Sequence, residues 1–379
     1  MGIEVSRRSE IIDFVRGIVI IDMMLVHYKD SLNIIPGLNL SKLIGYTDFA
    51  IEGFVFLAGL MVGRHYFEKF RDQPAQVIKR LVQRSAELLA IYYIMVLSIS
   101  LPLALLIGTN LTGGEKPSVY IVRSLLLQNQ VGLLHILPTF IPLFLIAIPI
   151  LYLLKKGYDL IGLVISLCFF VLGNFDPYIF NVGDKTIFPV VLWQIYFVAG
   201  VLLGKRRVMV ENWSMKKKYV FLLVSLIVFT LGSLLYHGHH IYPFVSKIRD
   251  QFGIKVSKFP LNYWGLLHYG SIFSVVVSLT ALFWNKIQHW RKFVNTVTLF
   301  GRRSLLTFVI HVYFAKSLIF TTHILGNPSF LSKLIIIANF CFTLMFLRYI
   351  EGIKFKERGG GGGIRFLPII AFSWNELLS

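Results

Sequence analysis

The chain has 379 residues, 56% of them hydrophobic and 15% charged, with a mean hydropathy of +0.70. A soluble domain averages nearer half apolar and about a quarter charged, so an ordinary soluble enzyme is excluded; 33 Phe, 17 Tyr and 6 Trp likewise exclude a disordered or fibrous chain. The 38 Lys and Arg against 19 Asp and Glu, formally +19, would point to nucleic acid in a soluble protein, but in a chain whose solvent is lipid they are read by their position, and no nucleic-acid partner is expected.

A spanning helix takes about 20 apolar residues. Apolar runs bounded by charge or turn residues predict spans at 10–28, 46–64, 86–108, 133–154, 158–173, 187–204, 219–236, 264–284, 304–323 and 332–350. The fifth is the shortest. The first follows Arg7 and Arg8 but is interrupted by Asp13, Arg16 and Asp22 with no small-residue cleavage site after it, so it reads as a retained span and not a signal peptide. Assigning alternate loops to opposite sides gathers the basic residues on one side: Arg7 and Arg8, the stretch from Arg64 to Arg84, Lys155 and Lys156, Lys205 to Lys218, Lys286 to Arg303, and Lys354 to Arg358. By the positive-inside rule that side is cytoplasmic, which puts both termini inside and requires an even number of spans. The expected fold is therefore all-α, a polytopic integral membrane protein of about ten transmembrane helices, with residues 1–353 as one domain. Residues 354–379, containing the five glycines Gly359 to Gly363 and a seven-residue apolar run too short to span, are expected to be a flexible cytoplasmic tail. Cys168 and Cys341 sit in apolar runs and support neither a disulfide framework nor a zinc site.

The strongest local pattern is Asp13-Phe-Val-Arg16-Gly-x9-His27 in the first span. At about 100° per residue, Arg16 and His27 return to within about 20° of each other, roughly 16 Å apart along the axis. Asp13 lies on the same stripe and reaches Arg16 at i, i+3 spacing, whereas Asp22 falls on the opposite side. An ionisable group at mid-membrane is unfavourable by about 2.5 to 3.5 kcal/mol on insertion scales, so an aligned set should face a protein-lined interior. Two readings stand. Asp13 and Arg16 form a structural pair at a helix end while His27 reaches the outer interface; or Arg16 holds an anionic donor entering from the cytoplasm and His27 acts as base on an acceptor further out.

Other residues also carry two readings. Arg80 and Arg84, with Lys79, are topology determinants at the cytoplasmic start of the third span or ligands for phosphates. Glu52 pairs with Lys29 or another cation, or orients His27 or a sugar acceptor. Trp193 packs in mid-span or walls a binding site. His135 and His268 lie near span ends where an acceptor could reach, His311 reads as a helix-packing donor, and the His237-Gly-His239-His240 segment lacks the carboxylate or cysteine company of a metal site. No metal is expected.

Together these residues resemble the transmembrane O-acyltransferase superfamily through the Arg16-x10-His27 spacing with Asp13 three residues before the Arg. The chain is most similar to its osmoregulated periplasmic glucan succinyltransferase branch. Glu52-Gly-Phe-Val-Phe-Leu-Ala-Gly59, Leu134-His-Ile-Leu-Pro138, Trp193-Gln-x-x-Phe197-x-x-Gly200, Lys258-x-x-Leu261 with His268, and Gly301-Arg-Arg-Ser304-Leu recur in order over residues 8 to 320. Two positions depart: Val26 stands where an Asp is expected before the first-span His, and His135 where the fourth-span motif carries Asp. The resemblance implies transfer of an acyl group, of succinyl or acetyl type, from cytoplasmic acyl-CoA to a hydroxyl of an extracytoplasmic glycan at the bacterial inner membrane. Acyl-CoA would be a co-substrate, with no bound cofactor. It makes His27, Asp13 and Glu52 catalytic candidates, Arg16, Arg80 and Arg84 ligands for CoA, and Trp193, His135 and His268 ligands for the acceptor. His27 would deprotonate the acceptor hydroxyl or carry the acyl group transiently. The competing class is a secondary transporter or flippase of small anions or lipid-linked sugars, disfavoured by the absence of visible repeats. Nothing in the sequence sets an oligomeric state.

Overall fold

The computed structural model describes residues 9–29, 40–107, 116–128, 132–180, 188–207, 213–237, 242–325 and 329–358. These are almost wholly helical. In chain order the helices are α1 (Glu10–Tyr28), α2 (Leu40–Tyr46), α3 (Ala50–Asp72), α4 (Pro74–Met95), α5 (Leu101–Ile107), α6 (Pro117–Leu125), α7 (Ile136–Lys155) and α8 (Asp159–Phe175). They continue with α9 (Val190–Lys205), α10 (Met215–His237), α11 (Pro243–Phe252), α12 (Tyr263–Ile287), α13 (Arg291–Arg302), α14 (Ser304–Leu325) and α15 (Ser329–Arg358). The glycine run and the His239 and His240 positions lie outside the described residues.

Among the described residues, six helical segments are long and apolar enough to cross a membrane: Pro74–Leu106, Ile136–Lys155, Met215–Tyr236, Tyr263–Ile287, Ser304–Leu325 and Phe330–Gly352. Helices α8 and α9 are apolar but shorter. Helix α1 is 19 residues long yet carries Glu10, Asp13, Arg16 and Asp22, which is why it falls outside that set despite beginning and ending where the apolar run predicts.

Five stretches expected as connecting loops contain helix, those of α2 and α6 among them. The basic segment 65–85 is helical except for Gln73: α3 runs on to Asp72, and α4 begins at Pro74, a proline whose missing N–H suits the first helical position. Lys, Arg, Glu and Gln are good helix formers, and pairs such as Arg71 with Glu68, 3.4 Å apart, follow the helical i, i+3 spacing. Likewise α11 lies in the stretch expected as an outer loop, and α13 in the basic segment before the ninth span. Helix α4 continues into α5 through a wide π turn at Val96–Ser100, where Leu101 N–H donates to the Val96 carbonyl. Pro102, which has no N–H to offer the preceding turn, follows at once, a sequence cause for the local widening.

The chain divides into two compact units. The first comprises Met1–Ala50 and Thr280–Ser379. Its centre is α1 against α13, where Phe14, Val294 and Val297 are packed by Ile18, Ile21, Trp284 and Ile287. The backbones come unusually close: a methyl group on Gly17 would lie 2.0 Å from the Val297 carbonyl oxygen, and one on Gly301 would lie 1.9 Å from that of Asp13. Only glycine fits either place. The second unit comprises Ile51–Leu279. There Gly59 and Gly63 on α3 interlock with Gly200 and Gly204 on α9, each with a carbonyl oxygen of the facing helix 2.0 to 2.2 Å from where a Cβ would stand. Both helices thus carry a Gly-x-x-x-Gly face, the small-residue seam that lets spanning helices approach. Ser166 on α8 and Gln194 on α9 form a buried clamp, with Ser166 Oγ donating to Gln194 Oε1 at 2.6 Å and Gln194 Nε2 donating to the Ser166 carbonyl at 2.8 Å.

Candidate functional site

Helix α1 holds both ends of the stripe in one rigid element. Asp13 and Arg16 are each 4% exposed and pair at 3.5 Å, as their spacing predicts. The α1–α13 crossing lies directly on this pair, since Gly301 abuts the Asp13 carbonyl. The glycine of the Gly301-Arg-Arg-Ser304 segment therefore has a structural reason: it lets α13 close over the turn that carries the ion pair. Asp22, on the other side of α1, accepts a hydrogen bond from the Phe49 N–H at 3.1 Å, supplying an acceptor just before α3 begins, where helical N–H groups have no partner of their own.

His27 ends a chain of buried polar groups. Its Nδ1 lies 2.8 Å from Nε2 of His311 on α14. The two rings are within 10° of parallel with centroids 5.0 Å apart; so large a separation for so short an N···N contact sets the rings end to end in one plane, the alignment of a linear N–H···N bond. The far nitrogen of His311, Nδ1, lies 2.9 Å from Nδ2 of Asn339 on α15. Asn339 also lies 2.8 Å from the Tyr28 hydroxyl, and its Oδ1 lies 3.2 Å from Thr343 Oγ1. His311, Asn339 and Thr343 are fully buried and Tyr28 is 1% exposed, whereas His27 retains some exposure. The network thus runs from a buried amide outward to an imidazole whose second nitrogen faces away from it.

In the second unit, four of the expected residues join one aromatic group. Glu52, fully buried, pairs with Lys258 at 3.1 Å, which resolves its partner as a cation 206 positions along the chain rather than Lys29. The Lys258 ammonium sits over the Tyr269 ring at 4.7 Å and near Phe259 at 5.7 Å. The Tyr269 ring in turn meets His268 at 4.8 Å, which is 1% exposed and also contacts Phe229 and Tyr236. Trp193 is fully buried against Phe188, Tyr196 and Phe259. Its indole N–H has no acceptor among the described residues. His135 enters the same group through Phe188 at 5.1 Å, and Thr139 on the first turn of α7 ties down that segment by donating to the Phe188 carbonyl at 3.2 Å.

Arg84 is buried, and its guanidinium donates to Glu87 at 2.7 Å; Arg80 is exposed one turn earlier on α4. Arg84 is therefore already ion-paired, whereas Arg80 is open to solvent.

Periodicity alone aligns Asp13, Arg16 and His27. It misses Tyr28, His311 and Asn339, whose pairings span 284 and 311 positions. The available signal was compositional: His311 and Asn339 each stand alone within an apolar run, and polar groups in spans are rare and usually face the protein interior.

A chain whose described residues hold six helices fit to cross a membrane, with an ion pair and two imidazoles buried along its helices, is by class a polytopic membrane protein with a polar interior. The family model described as OpgC protein matches residues 7–354. The chain belongs to this family, the osmoregulated periplasmic glucan succinyltransferase branch that its motifs resemble. Membership places it among acyltransferases that modify glucans. No curated protein and no solved structure matches the chain.

Proposed function

We propose that this protein is a membrane-bound O-acyltransferase that carries an acyl group, of succinyl or acetyl type, from cytoplasmic acyl-CoA to a hydroxyl of an extracytoplasmic glucan. The observation that carries the reading is the α1 stripe in a member of the OpgC family: a buried Arg16 held by Asp13, and on the same face His27 with Nδ1 engaged by His311. In this reading ten spans leave both termini in the cytoplasm of a bacterium's inner membrane, with Arg16 toward the cytoplasmic end of α1 and His27 toward the outer end.

Arg16 binds the anionic donor, and Asp13 keeps its guanidinium in place. Arg80 and Arg84 serve as further ligands for CoA phosphates. Nε2 of His27 takes the proton of the acceptor hydroxyl as its oxygen attacks the thioester carbonyl; the carbon–sulfur bond breaks, and the CoA thiolate leaves with that proton. Proton transfer of this kind is worth about 10² to 10⁴ in rate. Glu52, Trp193, His135 and His268 belong to the acceptor side. His268 and Trp193 are too buried to meet a sugar directly, so their part is to shape the aromatic wall, and His135 is the more accessible of the three.

The test is the mass of extracytoplasmic glucans from cells carrying the wild-type chain, the His27→Ala variant or neither. Acyl-substituted glucan with wild type alone, with the variant inserted at normal levels, supports the reading. Acylation that survives His27→Ala contradicts the mechanism, and unmodified glucan accompanied by altered export of a small anion or lipid-linked sugar points to a carrier instead.

A further inference from the structure

The departure at Val26 removes the carboxylate expected beside the histidine, yet a catalytic imidazole needs a partner on its other nitrogen to fix which nitrogen carries the proton. That partner is in place from elsewhere in the chain. His27 Nδ1 meets His311 Nε2 at 2.8 Å in a common plane, and His311 Nδ1 meets the Asn339 amide at 2.9 Å. Resting on the acyltransferase reading above, we propose that His311, backed by Asn339, is the positioning residue that keeps the proton of neutral His27 on Nδ1 and leaves the Nε2 lone pair for the acceptor hydroxyl.

The argument is one of accounting for protons. Each N···N contact needs one donor and one acceptor, so two doubly protonated imidazoles cannot face each other, and the pair holds at most one extra proton. An asparagine amide has an oxygen and an NH₂ of nearly equal size, and either can face His311. With Nδ2 toward His311, the ring's Nδ1 accepts, its Nε2–H donates to His27, and His27 is left with its own proton on Nε2, which makes it a donor and not a base. With the amide turned over, Oδ1 accepts from both Tyr28 and His311 Nδ1–H, Nδ2 donates to Thr343, and His311 Nε2 accepts from His27 Nδ1–H. Every member remains paired, and His27 Nε2 is a base.

The second direction matches the chemistry. When Nε2 receives the hydroxyl proton, the resulting imidazolium donates through Nδ1 to a neutral His311, which fixes the ring's orientation. The proton then leaves with the thiolate, and the chain returns to its starting direction. Burial sharpens this choice, because water does not compete for nitrogens this deep, and an unpaired polar atom there is unfavourable. The structure thus supplies imidazole plus amide as the hydrogen-bonding partner of His27 Nδ1, with the Asp48 carboxylate close enough to act on the His27 ring through its charge.

The experiment uses the full chain in lipid bilayers with ¹⁵N-labelled histidine, the His27 signals being assigned by their loss in His27→Gln. The expected wild-type spectrum shows His27 protonated at Nδ1 and bare at Nε2 near neutral pH, and His311→Phe, which keeps ring volume but offers no acceptor, removes that preference. A wild-type His27 protonated at Nε2, or a His27 spectrum unchanged by His311→Phe, overturns the proposal. In the transfer assay, His311→Phe should lower the rate at saturating donor by about 10²-fold while KM for acyl-CoA stays within about two-fold, His311→Gln should recover most of the loss through its Oε1, and His311→Phe should add nothing in a His27→Ala background. If wild type transfers acyl groups and His311→Phe transfers them as fast, the positioning role fails and the acyltransferase reading stands. If wild type transfers none, the functional reading fails and the nitrogen spectrum alone decides the orientation of His27.

Discussion

At the scale of single residues, the Glu52–Lys258 pair is the clearest case of a group that must act with its partner. Both side chains are buried, 3.1 Å apart. Removing one partner leaves an uncompensated charge, a loss of about 3 to 5 kcal/mol, whereas replacing both by uncharged groups of similar size is often close to neutral. Lys258→Met should therefore lower the thermal unfolding midpoint in detergent by several degrees, and Glu52→Gln combined with Lys258→Met should recover most of it; a double variant as unstable as the single one would show that the pair is not the stabilising unit. The residue scale is also where the sequence is least legible. Asp13, Arg16 and His27 share one helix, so period alone aligns them, but the partners of His27 and Glu52 are set by which distant helices pack together. Nothing local in the sequence marks Lys258 as Glu52's partner over any other cation, and only its recurrence in the Lys258-x-x-Leu261 segment singled it out.

At the scale of elements, close crossings position the site, and their glycines are testable. Gly17→Ala or Gly301→Ala would drive a methyl group into a carbonyl oxygen at 2.0 or 1.9 Å, which forces α1 away from α13 at the turn bearing Asp13 and Arg16. We expect either variant to lose most of its folded yield, measured by monodisperse recovery on size exclusion. Gly162→Ala, where nothing stands within 4 Å of the added methyl, should be recovered as wild type. Equal recovery of all three would contradict the packing described. Spans such as 133–154, 264–284 and 304–323 are legible to within a few residues because hydropathy reports burial in lipid directly, whereas α3 runs on to Asp72 past the expected 64 and α4 starts at Pro74 ahead of the expected 86. Helix α13, short and basic, gives no apolar run, yet its buried Val294, Val297, Thr298 and Gly301 fall at the i, i+3, i+4, i+7 positions of an amphipathic helix. Counting charges by loop hid that periodicity. The Gly-x-x-x-Gly faces of α3 and α9 were equally visible in the letters, and they acquire meaning only when the two helices are known to meet.

For the whole molecule, the account rests on topology and on chemistry carried across it. The basic excess is read mostly as orientation, and that reading is measurable. A phosphatase reporter active only outside the cytoplasm should be inactive when fused after Lys205 and active when fused after His237; the reverse pattern would invert the chain and place Arg16 on the side away from CoA. The central claim is tested most directly by reconstituting the purified full chain in sealed liposomes with glucan trapped inside and acyl-labelled CoA added outside, selecting the fraction whose cytoplasmic face is exposed. Label should appear on the trapped glucan with wild-type protein and not with His27→Ala. Label that stays on CoA with correctly inserted wild-type protein, or that reaches glucan equally without His27, would contradict it.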